Sequence, residues 1–225
     1  LQLALDAKEL KYMYVLESNL NWYLGPDRDW KFGTKNIIDA CVEKRIKWFF
    51  FSSTSHVYKS SQKKISEISI KKPISYYGQT KLWAENYIQK KLKFTHTKYC
   101  IGRIFSTTNK NQKKNYLVPD LKYKIRKTKK KLTLKKLNHY RDFISMEDVS
   151  KIIFILMRKK FSGILNLGSG KGILLKDIAR IIAKKYDREV VFLDNKKPTY
   201  LVANISKLLR IYKFKDSNKI EKIIF

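Results

Sequence analysis

The run Trp48–Phe51 constrains the fold most. Four large apolar residues stand in succession directly after a charged stretch at 43–47. A strand with one wet face alternates polar and apolar residues. A strand covered by helices on both faces has no polar side and reads as an unbroken apolar run. The run stops abruptly at Ser52, Ser53, Thr54 and Ser55. In open α/β sheets, ligands lie beyond the carboxyl ends of the strands. The hydroxyl cluster therefore stands where a site is expected.

The flanking patterns extend this picture into an α/β architecture. Gly33–Lys44 is expected to be a helix with Ile37, Ile38 and Cys41 on one face. Ser75 is placed to cap a helix from Tyr76 to about Leu92. Thr97–Phe105 reads as a strand, Pro119–Lys127 as a short helix, and Leu132–Phe143 as containing a strand. In Ser145–Arg158, Ser145 and Asp148 are spaced as a capping box, with Val149, Ile152, Ile153 and Leu156 inward. Gly163–Leu167 is expected as a strand, Gly168–Gly172 as a turn, Leu174–Tyr186 as an amphipathic helix, Val190–Leu193 as a strand and Ile205–Ile211 as a last helix. Lys59–Pro73 and Asn109–Asn115 are loop-like. Leu1–Leu5 reads as the tail of an earlier strand.

Charge narrows the partners. Fifty Lys and Arg against 19 Asp and Glu give a formal charge of +31. Such a balance suits nucleic acid or an anionic membrane. Yet the basic residues lie along every segment and not on one motif, which is a compositional habit. The run Lys122–Lys136 has few aromatics and reads as a solvated surface. No nucleic-acid or membrane partner is expected, whereas an anionic small substrate such as a sugar diphosphate fits. Cys41 and Cys100 are far apart, and His56, His96 and His139 are scattered. A reducing, cytoplasmic setting without disulfides or metal follows. Ile152–Met157, the longest apolar run, is far too short to span a bilayer, and nothing resembles a signal peptide.

Two residues offer proton chemistry. Tyr77 and Lys81, four apart on the expected helix, share one face. A free tyrosine has a pKa of about 10, and a neighbouring ammonium favours its phenolate. Such a pair can pass a proton to or from a substrate hydroxyl while a cofactor carries the hydride. Taken alone, the spacing is equally compatible with an exposed helix face. The segment GSGKG (Gly168–Gly172) lacks the spacing and the Ser/Thr of a phosphate loop, so a turn before a helix is expected.

The order of motifs adds more. FFFSSTSHVY (Phe49–Tyr58) followed by PISYYGQTKLWAE (Pro73–Glu85) resembles the active-site region of the extended short-chain dehydrogenases/reductases, the NAD-dependent epimerase/dehydratase family acting on nucleotide sugars. GTKNIIDAC (Gly33–Cys41), RDFISMEDV (Arg141–Val149), LNLGSGKGILLKDIARII (Leu165–Ile182) and ANISKLLRIYKF (Ala203–Phe214) resemble further family segments in the family's order. The resemblance implies a Rossmann-like doubly wound parallel sheet with a small interleaved substrate-binding lobe. Residues 1–107 would be part of an NAD(P)-binding domain, 108–225 mainly the substrate lobe, with 141–167 returning to the first domain. By motif, Thr54 would bond the reacting oxygen, Tyr77 would be the acid/base, and Lys81 would hold the nicotinamide ribose. Ser52 and Ser53 would join Tyr77 and Lys81 in contacting NAD or NADP. Arg141 would pair with the substrate diphosphate, its planar fork matched to phosphate oxygens. A homodimer through the helix of Tyr77 and Lys81 is the family habit.

Some positions depart from the pattern. Ser55 and His56 stand where the family's dehydratases carry Asp and Glu, which argues against dehydratase activity. His56 is an acid/base or substrate contact on one reading and a bystander lining the pocket on the other. Ser106, Thr107 and Thr108 replace the family's Asn and following residues. The glycine-rich loop GxxGxxG, whose helix N-terminus holds the cofactor pyrophosphate, is absent, and the chain begins at Leu1. A fragment or a decayed copy is therefore expected. The function expected is an NAD(P)-dependent epimerase or reductase acting on a nucleotide-activated sugar. A nucleotide-sugar dehydratase is the alternative among enzymes. An inactive basic fragment binding nucleic acid or a protein partner is the alternative outside them.

Overall fold

The computed structural model describes residues 12–15, 30–109, 111–129, 131–194, 197–214 and 220–225. The expected strand tail at Leu1–Leu5 lies outside them. The central sheet has four strands in the order β1 (Tyr12–Val15), β2 (Trp48–Thr54), β3 (Lys98–Ile104) and β7 (Gly163–Leu167). Every pairing within it is parallel. Parallel neighbours need crossover connections. Here α1 (Trp30–Glu43) leads into β2, α2 (Tyr76–Leu92) joins β2 to β3, and α4 (Met146–Arg158) leads into β7.

The WFFF run divides its rings between two cores, as the strand pleat requires. Phe49 and Phe51 pack with Ile38 and Cys41 of α1 and with Ala84, Ile88 and Leu92 of α2. Trp48 and Phe50 pack with Val149, Ile152 and Leu156 of α4 and with Leu165 and Leu167 of β7. Helices thus cover both faces, which is the doubly wound arrangement. Each such ring contributes about 1.5–3 kcal/mol by leaving water. On β3, Gly102 is in register with Ser52 and lies against the Phe50 ring. A Cβ there would stand 2.5 Å from the Phe50 ring, so only glycine lets that ring lie flat on the sheet.

A second group of elements has its own core. Here β6 (His139–Ser145) lies between β10 (Thr199–Leu201) and β4 (Ser106–Thr108), parallel to both, with β8 (Gly172–Leu174) antiparallel to it. Strands β5 (Lys131–Lys135) and β9 (Glu189–Leu193) form a separate parallel pair. Val118, Leu121 and Ile125 of α3 (Leu117–Lys127) meet Leu134, Phe143, and Ile178 and Ile182 of α5 (Leu175–Lys185). The chain ends in two short helices, α6 (Ser206–Leu209) and α7 (Ile220–Ile224).

Several boundaries differ from expectation, each for a local reason. Strand β2 runs on through its hydroxyl residues to Thr54, because Ser52, Ser53 and Thr54 pair in register with Gly102, Arg103 and Ile104. The span Leu132–Phe143 holds parts of two strands. Lys136 breaks it with a positive φ of 61°, and the Leu137 amide turns to donate to Asp194. The expected helix Ile205–Ile211 is a single turn, since in it only Leu208 is buried.

Ser145 caps α4 as its spacing predicted. Its Oγ accepts from the Asp148 amide at 3.0 Å and donates to the Asp148 carboxylate at 2.6 Å. Ser145→Ala should therefore lower the unfolding free energy by about 1 kcal/mol, read by urea denaturation, with Ser145→Asp restoring most of it.

Candidate active site

The carboxyl end of β2 is assembled from three pieces of chain. Thr54 closes the strand, and its Oγ1 accepts from the His56 amide at 3.3 Å, starting a single 3-10 turn over Ser55–Val57. Ser75 then caps α2 by accepting from the Gly78 amide at 3.1 Å. Tyr77 consequently lies in the first turn of α2, beside the turn bearing His56. The two pieces touch closely at Gly78, where a Cβ would stand 2.4 Å from the His56 carbonyl oxygen and 2.9 Å from Pro73. Glycine after Tyr77 is what lets the helix seat there.

The side chains follow from this packing. The His56 and Tyr77 rings are 6.1 Å apart, edge toward face at 66°. Tyr77 is 37 % exposed, whereas Lys81, one turn on, is 5 % exposed. The Lys81 ammonium stands 6.0 Å from the Tyr77 ring centre and 4.9 Å from that of Phe51. A buried ammonium over aromatic faces is held by the ring quadrupoles. The His56 ring is reachable from solvent on one side, but burial on the other, together with the positive charge of Arg141, lowers its pKa below 6.5. It is a neutral imidazole at neutral pH.

Arg141 reaches this cluster from β6. One terminal nitrogen donates to the Tyr140 carbonyl at 2.8 Å and to the Thr199 hydroxyl at 3.1 Å, and the other donates to that hydroxyl at 3.2 Å. No carboxylate pairs with it among the described residues. Burial lowers its pKa below the usual arginine value. A half-buried guanidinium without a carboxylate partner has the chemistry to receive an anion.

The expected site residues are not all alike. Thr54, His56, Tyr77, Lys81 and Arg141 gather at one end of the sheet. Ser52 is half-buried on the strand just before them. Ser53 faces the other way: its hydroxyl donates to the buried carboxylate of Glu85 on α2. A cofactor contact from Ser53 would thus have to come from its backbone. Among the described residues, no group of three or more His, Cys, Asp or Glu side chains could hold a metal ion, and no helix is long and apolar enough to cross a membrane.

Beneath the site lies a buried polar network that the motif reading missed. Arg103 of β3 forks onto Glu85, with contacts of 2.6, 3.0 and 3.2 Å. It also donates to the Tyr58 hydroxyl at 2.7 Å and to the Glu67 carbonyl at 2.8 Å. The Tyr58 hydroxyl in turn donates to the Asn166 amide oxygen of β7 at 2.7 Å. Burial pushes the Tyr58 phenol up to about 12. For Arg103, burial works against the charge, but Glu85 outweighs it and the guanidinium is held above its usual value. A second buried acid, Asp142, accepts from the Ser169 amide (2.7 Å), the Ser169 hydroxyl (2.6 Å), the Gly170 amide (2.9 Å) and the Ala203 amide (3.1 Å). GSGKG is therefore a turn, as expected, and its amides bind the protein's own carboxylate. The sequence did carry a signal for each: a lone Arg inside KYCIGRI, a lone Asn inside GILNL, and a Glu one turn after Lys81.

Comparison with known proteins agrees with this geometry. Residues 28–168 match a family model described as "NAD dependent epimerase/dehydratase family". Among similar solved structures is the UDP-N-acetylglucosamine 4-epimerase of Methanobrevibacter ruminantium M1 in complex with UDP-N-acetylmuramic acid. It is 21 % identical, with a TM-score of 0.80 over 96 % of this chain and 77 % of that one. Another is a mutant UDP-glucuronic acid 4-epimerase of Bacillus cereus with a fluorinated UDP-glucuronic acid and NAD. It is 22 % identical, with a TM-score of 0.77 over 86 % of this chain and 64 % of that one. A third is TunA, an NAD-dependent NDP-hexosamine 5,6-dehydratase of tunicamycin biosynthesis. It is 21 % identical, with a TM-score of 0.81 over 96 % of this chain and 75 % of that one.

Proposed function

The chain belongs to the NAD dependent epimerase/dehydratase family, and from that premise we propose that it is an NAD- or NADP-linked epimerase or reductase acting on a nucleotide-activated sugar. The observation that carries the proposal is the gathering of Tyr77, Lys81, His56 and Arg141 at the carboxyl end of β2. Proton transfer falls to Tyr77. The ammonium of Lys81 favours the phenolate, so Tyr77 can take a proton from a sugar hydroxyl and return it to a carbonyl. Thr54 already accepts from the His56 amide. A hydroxyl has one hydrogen to give, and that of Thr54 is suited to the reacting oxygen. Neutral His56, beside Tyr77, is the second group able to accept a proton at a neighbouring carbon. Arg141 binds the diphosphate as a planar fork.

The residues fit the nicotinamide end of the cofactor. Lys81 and Tyr77 offer donors for its ribose on one helix face, and Ser52 lies alongside. When bound, the cofactor supplies or accepts the hydride at the sugar carbon. A glycine-rich loop for its pyrophosphate is not among the motifs of this sequence. Residues 108–225 are assigned mainly to the substrate, with 141–167 returning to the cofactor domain through α4 and β7, while β6 at its start pairs within the second group. The separate packing of α3 and α5 from that of α4 and β7 supports this division.

The test is direct. The full chain is titrated with UDP-glucose, GDP-mannose and dTDP-glucose, and each is then incubated with NAD or NADP and followed by NMR. One nucleotide sugar should bind, and Arg141→Leu should weaken it about 10²-fold or more. An epimer or a reduced sugar is the expected product, and a keto-deoxy sugar would instead make the chain a dehydratase. Unchanged binding by Arg141→Leu would remove the diphosphate assignment. Salt-sensitive DNA binding with no affinity for any nucleotide sugar would defeat the proposal as a whole.

A further inference from the structure

Arg141 does not stand alone beneath its ligand. Strand β10 pairs with β6 so that Thr199 is in register with His139. The Thr199 hydroxyl lies 2.9 Å from His139 Nδ1 and 3.1 and 3.2 Å from the two terminal nitrogens of Arg141. Proton accounting fixes the direction of this chain. A guanidinium only donates, so Thr199 Oγ1 accepts from both terminal nitrogens of Arg141, which takes up its two lone pairs. Its single hydrogen is then left for His139 Nδ1, which must be a lone pair, with the imidazole proton on Nε2. The relay is therefore complete only while His139 is neutral.

We infer that His139, acting through Thr199, is a positioning residue for Arg141, and that its proton sets how tightly the site holds a diphosphate. This rests on the reading of Arg141 as the diphosphate contact. When His139 gains a proton, Nδ1 becomes a donor and the Thr199 hydrogen must turn away. The guanidinium loses part of its hold on Thr199 and turns its N–H groups toward the ligand, and a second positive charge stands beside it. Both changes favour a bound anion.

The groups facing His139 support this sense. Arg141 on its own strand disfavours the imidazolium, as does burial. Asp194, beyond β9, favours it, and the net effect holds the free-state pKa below 6.5. Asp194 is itself engaged by Lys176 of α5 at 3.7 Å and by the Leu137 amide at 3.1 Å. On β10 the facing group is Thr199, and Tyr140 stacks on Tyr200 at 4.7 Å alongside. An anion on Arg141 adds negative charge and raises the His139 pKa. The sign is then set: affinity is greatest below the free-state pKa and declines as pH rises through the bound-state pKa.

The experiment is calorimetric titration of the full chain with UDP-glucose, whose diphosphate does not itself titrate in the range, between about pH 8 and about pH 5.5. The wild type should bind about five- to tenfold more tightly at the acid end. His139→Gln offers Thr199 an acceptor that cannot titrate. It should match the wild type near pH 8 and show no acid enhancement. His56 also lies near Arg141, so His56→Gln is the control and should keep the enhancement. Thr199→Val should uncouple the two residues and remove most of the acid enhancement. Enhancement retained in His139→Gln, or lost only in His56→Gln, overturns the inference. So does pH-independent binding by the wild type. No binding of UDP-glucose at any pH rejects the diphosphate reading of Arg141 itself, and the inference with it.

Discussion

Glu85→Ala should lower the unfolding free energy by about 3–5 kcal/mol. Glu85 and Arg103 have no exposed side-chain surface, and their closest contact is 2.6 Å. Removing the carboxylate leaves a guanidinium buried in a low-dielectric core, with only the Tyr58 hydroxyl and the Glu67 carbonyl to hold it. Ser53 loses its acceptor in the same step. Desolvation dominates here, because a buried charge without its partner costs far more than the pair contributes. Denaturant unfolding of the single variants and of Glu85→Leu/Arg103→Met separates the two effects. The double variant should be more stable than either Glu85→Ala or Arg103→Ala, since it buries no lone charge. Single variants each within about 0.5 kcal/mol of the wild type would show that the pair carries no such penalty.

Tyr77→Phe should act on turnover and leave stability alone. The side chain is 37 % exposed and lies in the first helical turn, so deleting its oxygen changes little buried surface. The unfolding free energy should move by less than about 0.5 kcal/mol. On the nucleotide sugar that the chain turns over, kcat should fall by about 10²- to 10⁴-fold, the usual effect of removing an acid/base group. KM should change little, because the proposed diphosphate contact is Arg141 and not Tyr77. Steady-state kinetics beside a denaturation curve reads both. A kcat equal to that of the wild type would take the proton-transfer role away from Tyr77.

Much of this was legible in the sequence, for reasons that differ by residue. The WFFF run announced a strand covered on both sides, because a short, unbroken run of large rings has no face left for water. The Ser145 cap was legible because its partner is only three residues away. The Tyr77–Lys81 face was legible because helical spacing is fixed. Contacts that depend on tertiary register were not. Nothing local brings Arg103 to Glu85, Asn166 to Tyr58, or Thr199 to His139; those pairs exist only once β2, β3, β7 and β10 are aligned. The serines at the end of β2 fall between the two cases. Their location was readable, but which of them turns toward the cleft depends on the pleat.

That pleat has a consequence for how the chain can change. Ser53 and Thr54 are neighbours of nearly equal size and chemistry, yet one fastens α2 to the sheet and the other caps the turn at the cleft. Mutational tolerance should therefore differ sharply across a single peptide bond. At position 53, variation is limited by what the interior can bury, whatever the substrate. At position 54, on the proposed function, it is limited by what the substrate presents. Inserting or deleting one residue within β2 would exchange the two duties, so a change of length in this strand should cost more than a change of composition.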